Sequence, residues 1–183
     1  MITLGLRRLC QVIDFVVMVA GKLAGYMMPA LAAVVIYEVF SRYFLGRPTI
    51  WAYDLSLFLF GYIAALGGAY AHQKKAHINV DILYLKVSPN TRRVFNLISY
   101  ALGIFFLLLV CKMSFGKYEE AIEYNYRTQS EWAPPMFHFW LMMMIAAGLF
   151  IAQLGRDIVS DIYQLVTGNA LVPTKDDDAD DKY

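Results

Sequence analysis

The chain has 183 residues, of which 59% are hydrophobic and 17% are charged, and its formal net charge at pH 7 is +1. This composition is more apolar than that of a soluble domain and is typical of an integral membrane protein. A near-neutral charge without a basic patch excludes nucleic acid as a partner.

Four long apolar segments lie along the chain, at about residues 12–44, 51–71, 94–115 and 133–155. A hydrocarbon core about 30 Å thick needs about 20 helical residues, and backbone polar groups in lipid must be satisfied within helices. The sequence therefore predicts an all-α integral membrane protein, with residues 1–172 forming a single domain of four transmembrane helices. Residues 173–183 are too polar to fold and are predicted to form a disordered acidic tail.

Lysine and arginine are distributed unequally between the two sides of these segments. With the N-terminus inside, eleven lie on the inner side and five on the outer side. The excess of positive charge on cytoplasmic loops predicts that the N- and C-termini are both cytoplasmic. The first apolar run is longer than that of a cleaved signal peptide, so we interpret it as an uncleaved signal anchor.

Charged residues within the first segment need partners, because each costs about 2.5–3.5 kcal/mol at the centre of a membrane helix. Glu38 and Arg42 are four residues apart, so they lie on one helix face and can neutralise each other near the outer interface. Lys22 lies about 24 Å from Glu38 along a helix. These two residues are predicted to mark opposite interfaces, with the lysine side chain reaching the headgroups.

A polar stretch with two histidines follows the second segment. His72 and His77 are five residues apart, so they lie on different faces of a helix, and His138 is predicted near the opposite interface. A haem or zinc site needs more ligands at suitable spacing, so we expect no metal or cofactor and interpret the histidines as solvated groups. Residues 78–85 predict a short cytoplasmic helix lying on the membrane surface; a short strand also fits their pattern.

Several motifs occur in a distinctive order, at residues 41–44 (SRYF), 46–51 (GRPTIW), 74–81 (KKAHINVD) and 130–134 (SEWAP). With Asp54, this series resembles the small membrane subunit, Q type, of tripartite ATP-independent periplasmic (TRAP) transporters. The resemblance covers about residues 30–160 and includes the four-span layout. Asp54 stands where the family more often carries glutamate, which keeps the charge and shortens the side chain.

The resemblance implies a function in transport. In such systems a periplasmic binding protein captures the substrate, commonly an organic anion, and a large multi-span subunit, M type, carries it inward using an ion gradient, generally of sodium. The small subunit pairs with the large one, and it is neither an enzyme nor a cofactor protein. The chain is accordingly expected in the bacterial inner membrane, in contact with the large subunit, the periplasmic protein and membrane lipids.

Candidate partner-interface or structural residues follow from spacing and from the resemblance. Arg42, Trp51 and Asp54 are expected to form a cluster at the outer interface, with Trp51 as an aromatic belt residue and Asp54 binding a cationic or amide group. The acidic loop 119–131 is a candidate docking surface. The full candidate set, which contains no catalytic residue, is Glu38, Arg42, Trp51, Asp54, Lys75, His77, Asp81, Trp132 and Pro134.

One expectation and one alternative complete the sequence analysis. Pro134 and Pro135 are expected in the first turn of the fourth helix, where the missing N–H group is tolerated. The alternative function is a four-helix membrane redox or metal-binding enzyme subunit that would use His72, His77 and Asp81.

Overall fold

Four long helices make up the fold in a computed structural model, which describes residues 2–74, 76 and 89–168. In chain order they are α1 (Ile2–Tyr43), α2 (Ala52–Gln73), α3 (Pro89–Glu123) and α4 (Phe137–Thr167). Each contains an apolar window long enough to cross a membrane, which confirms the predicted all-α fold with four transmembrane helices. The cytoplasmic location of the termini stays a prediction, and the interfacial segment 78–85 and the acidic tail lie outside the described residues.

The start of α4 differs from the expected boundary. The helix begins at Phe137, so Pro134 and Pro135 precede it instead of occupying its first turn. Residues 124–136 form a compact loop in which Met136 N donates to Tyr126 O at 2.9 Å and Thr128 N donates to Pro134 O at 3.1 Å. The prolines fit this loop because neither has an N–H donor to leave unsatisfied, while the carbonyl group of Pro134 accepts a hydrogen bond.

The described helices do not close into a symmetric four-helix bundle. α1 packs mainly on α2, α3 packs mainly on α4, and α2 and α4 meet at the centre, with a smaller contact between α1 and α4. Within the described part of the chain, α3 makes at most marginal contact with α1 and α2. α1 and α3 therefore form the two edges, and each has a broad face that no other part of the described chain covers.

Small residues bring the helices together. A Cβ atom on Gly21 would lie 2.1 Å from the Tyr70 ring, and one on Gly61 would lie 2.8 Å from the Phe139 ring. The buried core is also built from small side chains, with Ala24 and Ala146 packed around Leu66. Such contacts are the usual means of helix association in lipid, where no hydrophobic effect drives helices together.

Only a narrow strip of α1 is buried. Cys10, Val17 and Ala24 are buried and recur at the seven-residue spacing that keeps one helix edge against a neighbour. Most other large side chains of α1 are exposed, including Phe15 and Tyr26. The exposed apolar surface is what a membrane protein presents to lipid or to a membrane partner.

The contact between Gly21 and Tyr70 predicts the effect of a small substitution. Gly21→Ala places a methyl group inside the Tyr70 side chain, so we expect a loss of about 1–3 kcal/mol in stability, typical of overpacking, seen as a lower Tm in detergent. Gly25→Ala in the same helix is the matched control, because nothing lies within 4 Å of a Cβ atom there. Equal Tm values for the two variants would contradict the packing assignment.

Candidate functional site

Two connections lie at the same end of the helices, which we call the loop end: residues 44–51 join α1 to α2, and residues 124–136 join α3 to α4. Three of the nine candidate residues, Lys75, His77 and Asp81, lie outside the described residues. The other six lie at or beside the loop end: Glu38, Arg42, Trp51, Asp54, Trp132 and Pro134.

Glu38 joins α1 to the first connection. Its Oε1 atom accepts a hydrogen bond from Arg42 Nε at 2.9 Å, which is the contact expected from their spacing of four. Its Oε2 atom accepts from the backbone N of Thr49 at 3.0 Å and also from the Thr49 hydroxyl group. The glutamate therefore fixes the loop as well as neutralising Arg42, and both uses favour an ionised carboxylate.

The first connection is also held by a local turn and an aromatic contact. Arg47 N donates to Ser41 O at 3.0 Å, and Gly46 adopts a φ of 64°, a conformation that glycine allows at little cost. The ring of Trp51 stacks on that of Tyr37 with centroids 5.7 Å apart. Trp51 thus anchors the start of α2 to α1, as an aromatic residue at a membrane interface can do.

Asp54 joins α2 to the second connection. It is only 3% exposed, and its carboxylate accepts a hydrogen bond from the Ser130 hydroxyl group. Ser130 Oγ in turn accepts from Ala133 N at 3.1 Å and contacts Thr128 Oγ1 at 2.9 Å. Asp54 lies in the first turn of α2, where a negative charge is favoured by the helix dipole.

The expected cluster of Arg42, Trp51 and Asp54 is not one site. In the described part of the chain, these three side chains contact Glu38, Tyr37 and Ser130 respectively and make no hydrogen bond to one another. Pro134 is buried within the second connection, and Trp132 is exposed beside it. The loop end is therefore a pair of braced loops with a charged outer surface.

A second polar cluster, at the other end of the helices, was not predicted. Arg156 of α4 donates from Nη2 to Asp14 Oδ2 and from Nη1 to Asp157 Oδ1, each at 2.9 Å. The arginine side chain is only 11% exposed, so these charge-assisted bonds satisfy a largely desolvated cation. We call this cluster the Arg156 network, and its members are Asp14, His72, Gln73, Gln153, Arg156 and Asp157.

The remaining members connect α2 to the network. His72 Nε2 lies 3.1 Å from Asp157 Oδ2, and Gln73 Nε2 donates to the backbone O of Asp14 at 2.8 Å. Gln153 is 1% exposed, and its Nε2 atom lies 3.4 Å from Asp14 Oδ1 and 3.5 Å from Asp157 Oδ2. Side chains from α1, α2 and α4 are thus joined at one level.

The position of His72 differs from the expected solvated site. Its ring packs between Tyr100 of α3 and Phe150 of α4, with centroid distances of 5.4 and 5.6 Å. The available sequence signal was the presence of charged residues, Asp14 and Arg156, near the ends of long apolar helices, where unpaired charge is unfavourable. Among the described residues, no three His, Cys, Asp or Glu side chains are grouped to hold a metal ion.

Comparison with known proteins identifies the family. Residues 31–164 match the family described as tripartite ATP-independent periplasmic transporters, DctQ component. The chain belongs to this family. The matched range contains the whole loop end and every member of the Arg156 network except Asp14.

Two curated relatives are similar to this DctQ-family chain. The sialic acid TRAP transporter small permease protein of Vibrio cholerae is 30% identical over 66 residues, which cover 36% of this chain and 38% of the relative. The C4-dicarboxylate TRAP transporter small permease protein of the same organism is 24% identical over 119 residues, which cover 64% of this chain and 51% of the relative. The chain thus spans about half the length, or less, of the curated relatives it matches.

The match confirms the resemblance seen in the sequence. The DctQ component is a small permease subunit of TRAP transporters, so the chain is a transporter subunit and not an enzyme. With four apolar helices it is a multi-pass protein of the bacterial inner membrane. The redox or metal-binding alternative is not favoured by these similarities.

The bond between Asp54 and Ser130 predicts the effect of removing the hydroxyl group. Ser130→Ala leaves the buried carboxylate and the Ala133 N–H group without this partner, so we expect a loss of about 1–3 kcal/mol and faster hydrogen exchange across residues 124–136. Glu131→Gln is the control, because its exposed side chain has no described partner. Unchanged exchange in Ser130→Ala would show that the bond does not brace the loop.

Arg156 is predicted to contribute strongly to stability. Arg156→Met leaves Asp14 and Asp157 close together without their cation, and breaking such a pair costs about 3–5 kcal/mol, measurable as a lower Tm in detergent. Adding Asp14→Asn and Asp157→Asn to this variant should recover part of the loss. Lys74→Met, at an exposed site on the same end, is expected to leave the Tm within a few degrees of the unmodified protein.

Proposed function

We propose that this chain pairs, in the inner membrane, with a large multi-span transport subunit of a TRAP-type secondary transporter. The observation that carries the proposal is the family match, which includes α2, α3, nearly all of α4 and the C-terminal part of α1. The uncovered apolar faces of α1 and α3 support it, because they leave apolar surface in the membrane-spanning part of the chain for a membrane partner to contact.

The proposed role is to enlarge and anchor the static scaffold of the large subunit. Side-chain bonds brace both ends: Glu38 and Asp54 join helices to the connections at the loop end, and Arg156 joins helices at the other end. Each described helix is also continuous through its apolar window, unlike the broken helices that form substrate sites in many transporters. A braced unit without a broken helix suits a supporting subunit better than a moving one.

We further propose that the loop end faces the periplasm and contributes to docking of the binding protein. The lysine and arginine distribution supports this orientation. Exposed charges of both signs lie at this end, and they can steer and orient a soluble partner. They are Arg42, Arg47, Glu119, Glu123 and Glu131.

The proposed substrate class is an organic anion, imported with an ion gradient, in which sodium is the expected coupling ion. The names of the two relatives refer to sialic acid and to C4-dicarboxylates, both of which are carboxylates. Because the proposed role leaves substrate binding to the other subunits, the side chains of this chain do not specify which anion is carried.

Reconstitution tests the proposed function. Liposomes containing this chain and the large subunit, supplied with the binding protein and an inward sodium gradient, are expected to take up substrate, whereas liposomes with either membrane subunit alone are not. Uptake by this chain alone would contradict the accessory role. Failure of the two membrane subunits to co-purify would contradict the proposed pairing.

A variant at His77 separates the transport function from the redox or metal-binding alternative. His77→Gln is expected to retain most uptake in the same liposomes, because the side chain is predicted to be structural. Complete loss of uptake with the complex still assembled would support a chemical role for this histidine.

A further inference from the structure

Lys112 of α3 lies level with the middle of the spanning helix α2, although its place in the sequence suggests the outer end of its own helix. The neighbouring Cys111 Sγ atom lies 4.0 Å from Met144 O of α4. On the same helix, Phe139 lies over Gly61 and Phe150 lies against Gly68 of α2. Met144 is between Phe139 and Phe150, so Lys112 is level with the middle of the 22-residue helix α2.

The Lys112 side chain points away from the rest of the chain. Ser114, two residues later, is buried against α4 at 3% exposure, and residues two apart in a helix lie on different faces. Lys112 itself is exposed. The side chains one and two turns before it, Phe105, Leu108 and Leu109, are also exposed. We call these four residues the Lys112 face.

Nothing in the described part of the chain neutralises this lysine. Its ammonium group makes no hydrogen bond or ion pair there. The next lysine on the helix, Lys117, is already paired with Glu120 at 2.6 Å. An unpaired cation at this depth is unfavourable against lipid tails, and such residues normally pair with another charged or polar group.

Reaching the headgroups is difficult from this position. Side chains on a helix lean toward its N-terminus, so Lys112 leans back over apolar Leu108 and Leu109, away from the polar residues near the loop end. Along α3, Gly103 is about 13 Å away, and it contacts Leu154 only two residues before Arg156. To reach the level of the Arg156 network, the Lys112 side chain would therefore have to extend past a long apolar part of α3.

Lys22 provides a useful comparison, because it too is exposed. It lies about 12 Å along α1 from Asp14, and its side chain leans toward that polar end. The N-terminal tilt of helix side chains therefore directs Lys22 toward the nearer interface, whereas the same tilt keeps the Lys112 side chain among apolar residues.

From this geometry we infer that the Lys112 face docks a transmembrane helix of the large subunit, and that this helix carries a carboxylate side chain at the same depth. The inference rests on the proposed function, since it names where the proposed partner binds. The apolar members of the face supply packing area, and the single cation selects the helix and its register, because a wrong alignment leaves the charge unpaired.

Co-purification tests the inference. The affinity-tagged large subunit is co-expressed with this chain and isolated in mild detergent, and the molar ratio of the two subunits is measured. Lys112→Met is expected to lower the recovered ratio by roughly tenfold or more, as expected when a buried cross-interface charge loses its partner. Lys112→Arg retains the charge and should retain the complex.

Two matched variants and one labelling experiment complete the test. Lys117→Met and Lys22→Met should leave the subunit ratio unchanged, because neither lysine belongs to the Lys112 face. A photoreactive benzoylphenylalanine in place of Leu109, with Lys112 intact, should cross-link to the large subunit. This measurement does not depend on how well Lys112→Met folds, and cross-linking to lipid alone would overturn the inference.

The outcomes separate this inference from the proposed function. If the unmodified chain does not bind the large subunit, both are overturned. If the unmodified chain binds and Lys112→Met binds equally well, only the inference is overturned, and Lys112 faces lipid. If Lys112→Met loses the complex, changing one acidic residue in a transmembrane helix of the large subunit to lysine should restore binding to Lys112→Glu.

Discussion

The guanidinium group of Arg156 holds three of the four helices at one level. It forms ion pairs with Asp14 of α1 and with Asp157 of its own helix. From α2, His72 hydrogen-bonds to Asp157, and Gln73 donates to the backbone O of Asp14. In an apolar environment each of these polar groups has few alternative partners, so sliding one helix by a turn would leave charges unpaired. The network therefore fixes the axial register on which the remaining contacts depend.

The braced loops lie at the opposite end of the helices from the Arg156 network. Glu38 lies about 36 Å from Asp14 along α1, slightly more than the thickness of a hydrocarbon core. Bracing through Glu38 and Thr49 and through Asp54 and Ser130 thus occurs one membrane thickness away from the Arg156 network. Between the two ends the helices pack through glycine and alanine, whose contacts tolerate little misalignment, as at Gly21 and Tyr70.

The fold was predictable because it follows from local patterns. Apolar segment length indicated four transmembrane helices, and the spacing of Glu38 and Arg42 indicated their contact. Contacts between distant residues left no local pattern. Asp54 and Ser130 are 76 residues apart, and Arg156 and Asp14 are 142 apart, so only the packing of separate helices brings them together.

The start of α4 illustrates a different limit of sequence reasoning. Proline fits the first turn of a helix and a tight loop equally well, since neither position requires a backbone N–H donor. The choice is made by contacts of the loop itself, where Pro134 O accepts from Thr128 N and Met136 N donates to Tyr126 O. Those contacts close residues 124–136 before the helix begins.

Helix register also determines how deep in the membrane a charged residue lies. Counted along its own apolar segment, Lys112 is close to an interface, but the contact between Cys111 and Met144 offsets α3 along α4 and places Lys112 at the level of the centre of α2. Buried charges in this chain, such as Arg156 and Asp54, have internal partners. Lys112 lies instead on an uncovered edge, so the group that neutralises its charge has to come from outside the described chain.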